Sequence, residues 1–189
     1  VIKYFSTQKP QTGTGSLRYA EALIKSGRSF EASNEIKRTW KDFDLDEEEH
    51  NAYVERNGLT IKNLHHLRMD SLLWQGRTES AFRMLPLVDK NWQALARARI
   101  ALRKNRSRVN YFINLVPKEV SNDPGLAYER FLWRLRNGNW DGAIEIIIEG
   151  SVSEKTLGRA QAWADWRRVL AREMMRSGEF EQAYRIASN

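Results

Sequence analysis

Gly27, Gly76, Gly138 and Gly178 are each followed five residues later by an alanine: Ala32, Ala81, Ala143 and Ala183. Leu23, Leu72, Arg134 and Met174 stand four residues before the same glycines. A helix that ends on a left-handed residue favours glycine there, because no Cβ meets the preceding turn. A small residue one turn into the following helix lets the two helices approach closely. The pattern therefore predicts repeated helix–turn–helix units of the tetratricopeptide kind. A fifth unit fits if Arg106 takes the glycine place, with Leu102 before it and Tyr111 after it. The interval between units is irregular, which argues against a strict modular code such as one base per repeat.

The stretch from Asn63 to Arg106 shows one unit at length. Apolar or small side chains return at Leu64, Leu67, Ser71, Leu72 and Trp74, and again at Ala81, Met84, Leu85 and Val88. This three-and-four spacing puts one apolar stripe on each helix. Gly76 stops the first helix and Thr78 is placed to cap the second. Such a pair cannot bury its stripe alone. The expected fold is all-α, an irregular tetratricopeptide-like superhelix (an α-solenoid, U- or ring-shaped) of about ten to twelve helices. It would occupy residues 16–189, behind an irregular lead-in over residues 1–15.

Within the lead-in, QKPQTGTGS has the glycines of a phosphate loop. No Lys-Ser/Thr pair follows Gly15 and no strand signal precedes it, so nucleotide binding is not expected. Ser16 reads as the cap of a helix ending at Gly27, and Phe30 to Trp40 as the next. The acidic run DFDLDEEE reads as a helix start: Asp46 and Glu49 fit a capping-box variant, and negative charge suits a helix N-terminus. That helix is expected to stop at Asn57-Gly58. Asp123-Pro124 is a further start signal, with proline where a missing N–H is harmless. Trp140 to Ile148 forms its return helix, closed by Gly150. Ser153-Glu154 opens a last long helix to about Ser177, and Glu179 to Ala187 is its partner. The absence of a tail after Asn189 reads as an interruption, so the chain is expected to be a fragment of a longer protein.

Composition narrows the chemistry. The 189 residues include no cysteine, so disulfides, zinc–thiolate sites and thiol catalysis are excluded within the chain. Apolar and aromatic residues make up 41 %, with seven tryptophans, which is material for a core. No apolar run approaches a membrane span. No signal-peptide pattern is visible at Val1. The net charge of +7 predicts attraction to polyanions. His65 and His66 are adjacent, so on a helix they point about 100° apart and cannot chelate one metal as histidines four residues apart do. No metal site and no cofactor are expected, and no glutamate sits in a recognisable catalytic context.

The best candidate for an anion- or glycan-binding face is the arginine-rich stretch bearing Arg97, Arg99, Arg103, Lys104, Arg106 and Arg108, flanked by Trp92 and Tyr111. Arginine beside stacking aromatics suits sugar rings or single-stranded nucleic acid. Arg97, Arg99 and Arg103 spread round the helix, however, and arginines bridging neighbouring repeats would look the same. The helical phasing of the tryptophans assigns most of them to packing.

Three stretches carry a resemblance: HLRMDSLLWQGRTESAFRMLPLVDKNWQALARARIALR (His66 to Arg103), DPGLAYERFLWRLRNGNWDGAIEII (Asp123 to Ile147) and RRVLAREMMRSGEFEQAYRIASN (Arg167 to Asn189). They resemble the superhelical U-domain of soluble lytic murein transglycosylases, over roughly Leu17 to Asn189. The resemblance implies a periplasmic protein of a Gram-negative bacterium, in which a curved helical scaffold carries a lysozyme-like domain on its C-terminal side. That domain cleaves MurNAc–GlcNAc bonds of peptidoglycan, and the MurNAc C6 hydroxyl closes a 1,6-anhydro ring. The family's Glu-Ser and Gly-Leu-Met-Gln phrases are absent here, so no catalytic residue carries over. The implied partners are glycan strands and the lysozyme-like domain of the same parent chain, with no nucleic acid and no membrane span. The Gly/Ala repeat motivates equally an adaptor that grips a partner protein, and the charge motivates a helical nucleic-acid binder.

Overall fold

The computed structural model describes residues 1–150 and 153–188, with the backbone alone for 154 and 155. All regular structure among the described residues is helical, with no strand. The helices run α1 (Ile2–Phe5), α2 (Gly13–Lys25), α3 (Ser29–Asp42), α4 (Glu47–Ile61), α5 (His65–Trp74), α6 (Thr78–Arg83), α7 (Lys90–Arg103), α8 (Val109–Asn114), α9 (Pro124–Arg136), α10 (Trp140–Gly150), α11 (Glu154–Leu157), α12 (Ala160–Ser177) and α13 (Phe180–Ala187). Short 3-10 turns cover Lys62–Leu64, Leu85–Leu87 and Lys118–Val120. The chain divides into two compact units, Val1–Asp89 and Lys90–Asn189. None of the described helices is long and apolar enough to cross a membrane.

The repeated glycines do what their spacing demands. Gly27, Gly76, Gly138 and Gly178 all have φ between 75° and 83°. In each turn the next N–H reaches back to the carbonyl five residues earlier: Arg28 to Leu23, Arg77 to Leu72, Asn139 to Arg134 and Glu179 to Met174, at 2.8–2.9 Å. These are Schellman closures, and they satisfy helix-end carbonyls that would otherwise lack partners. The four following alanines are all buried. The fifth unit is displaced by one residue. Asn105, not Arg106, is left-handed (φ 46°), and Arg106 N–H closes on Ala101. Asparagine tolerates this conformation better than arginine does. Tyr111 does not fill the alanine place, for it is exposed, and the inward residue of α8 is Val109.

In the first unit, α2 begins three residues before Ser16. Thr12 has extended backbone and its hydroxyl accepts from Gly15 N–H at 3.1 Å. Ser16 therefore lies inside the helix, buried, accepting from Thr39 Oγ1 at 2.6 Å. Asp46 caps α4 as expected, through Glu49 N–H at 2.8 Å. The Glu49 carboxylate does not close the capping box. It accepts instead from Thr14 N–H and hydroxyl, at 2.6 and 3.0 Å, where the positive end of the α2 dipole favours it. The α4 helix kinks at Asn57 (φ −128°) but continues to Ile61, whose full burial anchors the extra turn. The cap position of α6 belongs to Arg77. Thr78 is already helical and makes no capping bond.

In the second unit Asp123 Oδ1 caps α9 through Leu126 N–H at 2.7 Å, with Pro124 at the first helical position. Its core joins Phe131, Leu135, Ala143, Ile147, Trp163, Leu170 and Ile186. Ser153 Oγ caps the next turn through Thr156 N–H at 3.3 Å. The expected single helix to Ser177 is interrupted at Gly158 (φ 68°), which separates α11 from α12. The break seats Leu157 in the core and puts its carbonyl 3.0 Å from Trp163 Nε1, which donates to it. Asn189, where the chain was read as interrupted, lies outside the described residues.

Candidate functional site

The arginine-rich stretch separates into a buried part and an exposed part. Arg99 is 1 % exposed, and its Nη1 lies 3.3 Å from Asp123 Oδ1. Its guanidinium passes over the backbone of Gly125, so closely that a Cβ there would overlap Cζ, Nη1 and Nη2. Arg103 donates from Nε and Nη2 to Glu129 Oε1, and Glu129 is itself fully buried. Arg136 donates to the carbonyls of Arg103 and Leu102, at 2.7 and 2.9 Å, where they end α7. Burial pushes the Glu129 carboxyl up, against the opposing pull of Arg103, Arg99 and Arg136. This carboxyl is closed against solvent and tied to Arg103, so it faces no substrate. Arg99 and Arg103 thus hold α7 to α9. Trp92 is half-buried against the cluster of Leu95, Ala98, Leu102, Val109 and Leu126. Arg97 is exposed.

The exposed part gathers at the turn after α7. Arg106 lines a cavity of about 330 Å³ together with Asn105, Arg108, Asn110, Trp133 and Asn137. Arg108 is left-handed (φ 65°), a conformation that costs a non-glycine residue roughly 1 kcal/mol or more. Its guanidinium sits 5.8 Å from the ring centre of Tyr111. Asn137 Nδ2 donates to Asn105 Oδ1 at 3.3 Å and to Trp133 O at 2.8 Å. Trp133 Nε1 is buried with no hydrogen-bond partner among the described residues. Of the residues singled out from the sequence, the structure places Arg106, Arg108 and Tyr111 at this turn. Trp133 and Asn137 carry no such signal in the sequence, for they reach the turn only because α9 packs on α7. Two guanidinium groups, side-chain amides and an indole can bind an anionic, hydroxyl-rich ligand.

A second polar cluster lies inside the first unit. Arg68 is fully buried, on a helix face where sequence periodicity placed Leu67. Leu67 is exposed, and the buried stripe of α5 is Arg68, Met69, Leu72 and Leu73. Arg68 Nη1 donates to Trp40 O and, at 2.8 Å, to Phe43 O, and the guanidinium stacks 4.5 Å from the Trp40 ring. Around Trp40 also lie His50, Tyr53 and His65, with ring centroids 5.3, 6.1 and 5.6 Å away. His66 points elsewhere, its Nε2 2.9 Å from Asp89 Oδ2. No group of three or more potential metal ligands occurs among the described residues.

This cluster gives the first unit a pH dependence. Burial holds the His50 imidazole down at about 4, with Arg68, Arg83 and His65 adding to the effect. His65 is shifted in the same direction, first by burial. The folded form resists protons that the unfolded chain accepts below about 6.5, the ordinary histidine value. The resulting stability is fully present above pH 6.5 and is lost as pH falls from there toward 4. For His50 alone it amounts to about 3 kcal/mol. Urea unfolding of the parent protein should shift to lower midpoint across this window. His50→Phe should flatten the shift, and an unchanged slope in that variant would show that other groups govern it.

Comparison with protein-family models, with characterised proteins and with solved structures finds no match to this chain.

Proposed function

We propose that this chain is a non-catalytic scaffold segment of a peptidoglycan lytic transglycosylase, a tetratricopeptide-like solenoid that holds glycan strands for a lysozyme-like domain of the same parent protein in the periplasm. The observation that carries the reading is the cavity at the Asn105 turn. It combines Arg106 and Arg108 with the Asn110 and Asn137 side chains and the Trp133 indole. Guanidinium groups suit the carboxylates of stem peptides, amides suit sugar hydroxyls, and an indole suits a pyranose face. The resemblance of His66 to Arg103, Asp123 to Ile147 and Arg167 to Asn189 to the U-domain phrases supports the same reading.

The test is cosedimentation of the chain with purified peptidoglycan sacculi, followed by mass spectrometry of the soluble products. The chain alone should be retained and release no anhydro-muropeptide, whereas the longest natural form of its parent should release it. Arg106→Glu with Arg108→Glu should weaken retention about tenfold. Absence of retention, or retention indifferent to the two substitutions, would overturn the glycan role of this cavity. Absence of anhydro product from the parent would overturn the transglycosylase reading.

A further inference from the structure

The turn after α7 is built against local preference. Among the described residues, Asn105 and Arg108 are the ones with positive φ that are not glycine, at 46° and 65°. The five residues 104–108 are exposed, so burial of their own side chains does not fix them. Non-glycine residues keep such a backbone only where their surroundings over-determine it. Part of the restraint is local: Asn105 N–H donates to Leu102 O at 3.2 Å and Arg106 N–H to Ala101 O at 3.0 Å. Leu102 and Val109 bound the turn, both buried in the cluster that includes Leu126 of α9.

Further restraint comes from the last turn of α9. Arg136 Nη1 donates to Arg103 O at 2.7 Å and Nη2 to Leu102 O at 2.9 Å, while Nε donates to Leu132 O of its own helix at 3.2 Å. One guanidinium thus spans two successive carbonyls at the C-terminal end of α7. Carbonyls there lack an intrahelical donor, and the helix dipole favours a cation. A planar fork suits this task, whereas an ammonium makes a point contact. Asn137, the next residue, donates to Asn105 Oδ1 at 3.3 Å. Asp123 with Arg99 and Glu129 with Arg103 fasten α9 to α7 through side chains. Arg136 fastens it to the backbone from which the turn departs. It is not among the residues that line the cavity.

We propose that Arg136 is a positioning residue for the cavity at the Asn105 turn. By bridging the Leu102 and Arg103 carbonyls it sets the direction in which the chain leaves α7, and so the placing of Arg106 and Arg108 toward an anionic glycan. Without it the turn spreads over conformers in which Asn105 and Arg108 return to negative φ. Only the fraction with both guanidinium groups in place binds, and apparent affinity falls by that fraction. The effect on binding rests on the glycan reading of this cavity, whereas the hold on the turn does not.

Two readouts on the full chain test this: hydrogen exchange by mass spectrometry over residues 104–110, and cosedimentation with purified sacculi. Arg136 is exposed, so its replacement spares the core of the second unit. Arg136→Met should speed exchange of the segment about tenfold, with exchange over α4 and α12 unchanged, and weaken retention about three- to tenfold. Arg136→Lys keeps the charge but cannot bridge both carbonyls, and should stay close to Arg136→Met in both readouts. In the Arg106→Glu, Arg108→Glu background, Arg136→Met should speed exchange as before and cost no further retention. Unchanged exchange in Arg136→Met, or faster exchange throughout the second unit, would overturn the hold on the turn. Full recovery of retention by Arg136→Lys would reduce Arg136 to a charge near the cavity, and further loss in the reversed background would make it a ligand contact; either overturns the positioning role. If sacculi do not retain the parent protein, the glycan reading falls and the role in binding with it, while exchange still decides the hold on the turn.

Discussion

Replacing Arg68 by methionine should cost the first unit about 3–5 kcal/mol, a large share of the stability of a unit this size. The guanidinium lies in the core yet forms no ion pair among the described residues. It donates to the carbonyls of Trp40 and Phe43 and stacks on the Trp40 ring. Trp40 O belongs to the last turn of α3, where carbonyls lack an intrahelical donor and the helix dipole favours a cation. Burial pushes this guanidinium down to about 10, with Asp44 opposing, so it stays charged at neutral pH. Methionine fills most of the volume but leaves two buried carbonyls without donors, each costing roughly 1–3 kcal/mol. Arg68→Lys keeps the charge and a donor but loses the planar stack, and should fall between the two. Urea unfolding followed by tryptophan fluorescence gives the values. A loss below about 1 kcal/mol for Arg68→Met would mean that water reaches both carbonyls.

The second large effect concerns Gly125, the second residue of α9. Alanine usually stabilises a helix relative to glycine by about 1 kcal/mol. Here the added Cβ would fall inside the Arg99 guanidinium, which is buried and paired with Asp123, so making room means shifting a buried charge against its partner. Gly125→Ala should therefore destabilise the second unit by about 2–4 kcal/mol. The cause can be isolated by a double-mutant cycle. In an Arg99→Met background the obstructing group is gone, and Gly125→Ala should become neutral or slightly stabilising. The two substitutions should thus couple by at least about 2 kcal/mol. Equal costs in both backgrounds would place the strain in the α9 backbone and not against Arg99.

Both effects show where sequence patterning loses its grip. Periodicity placed Leu67 on the buried face of α5 because leucine is apolar. The helix is rotated so that Arg68 faces inward, toward carbonyls 25 and 28 residues earlier in the chain. Nothing local to Arg68 signals this. The DPG start was legible for its cap and its proline, whereas the role of Gly125 depends on an arginine from another helix. The same holds for the candidate site. Arg106 and Tyr111 stood out by composition, while Trp133 and Asn137 join them only through packing. Arg99 and Arg103 look like their exposed neighbours in the sequence and differ from them in facing Asp123 and Glu129.

What the sequence determined by itself was the helical turns: Gly27, Gly76, Gly138 and Gly178, their buried alanines, and the caps at Asp46 and Asp123. Each of these follows from the backbone preference or hydrogen-bonding reach of residues within one or two turns. The tertiary structure alone decided that Asn105 and not Arg106 turns left-handed, that Glu49 leaves its own helix for Thr14, and which arginines are buried. Those outcomes depend on partners distant in the chain, whose charge and shape become local only once the helices have packed.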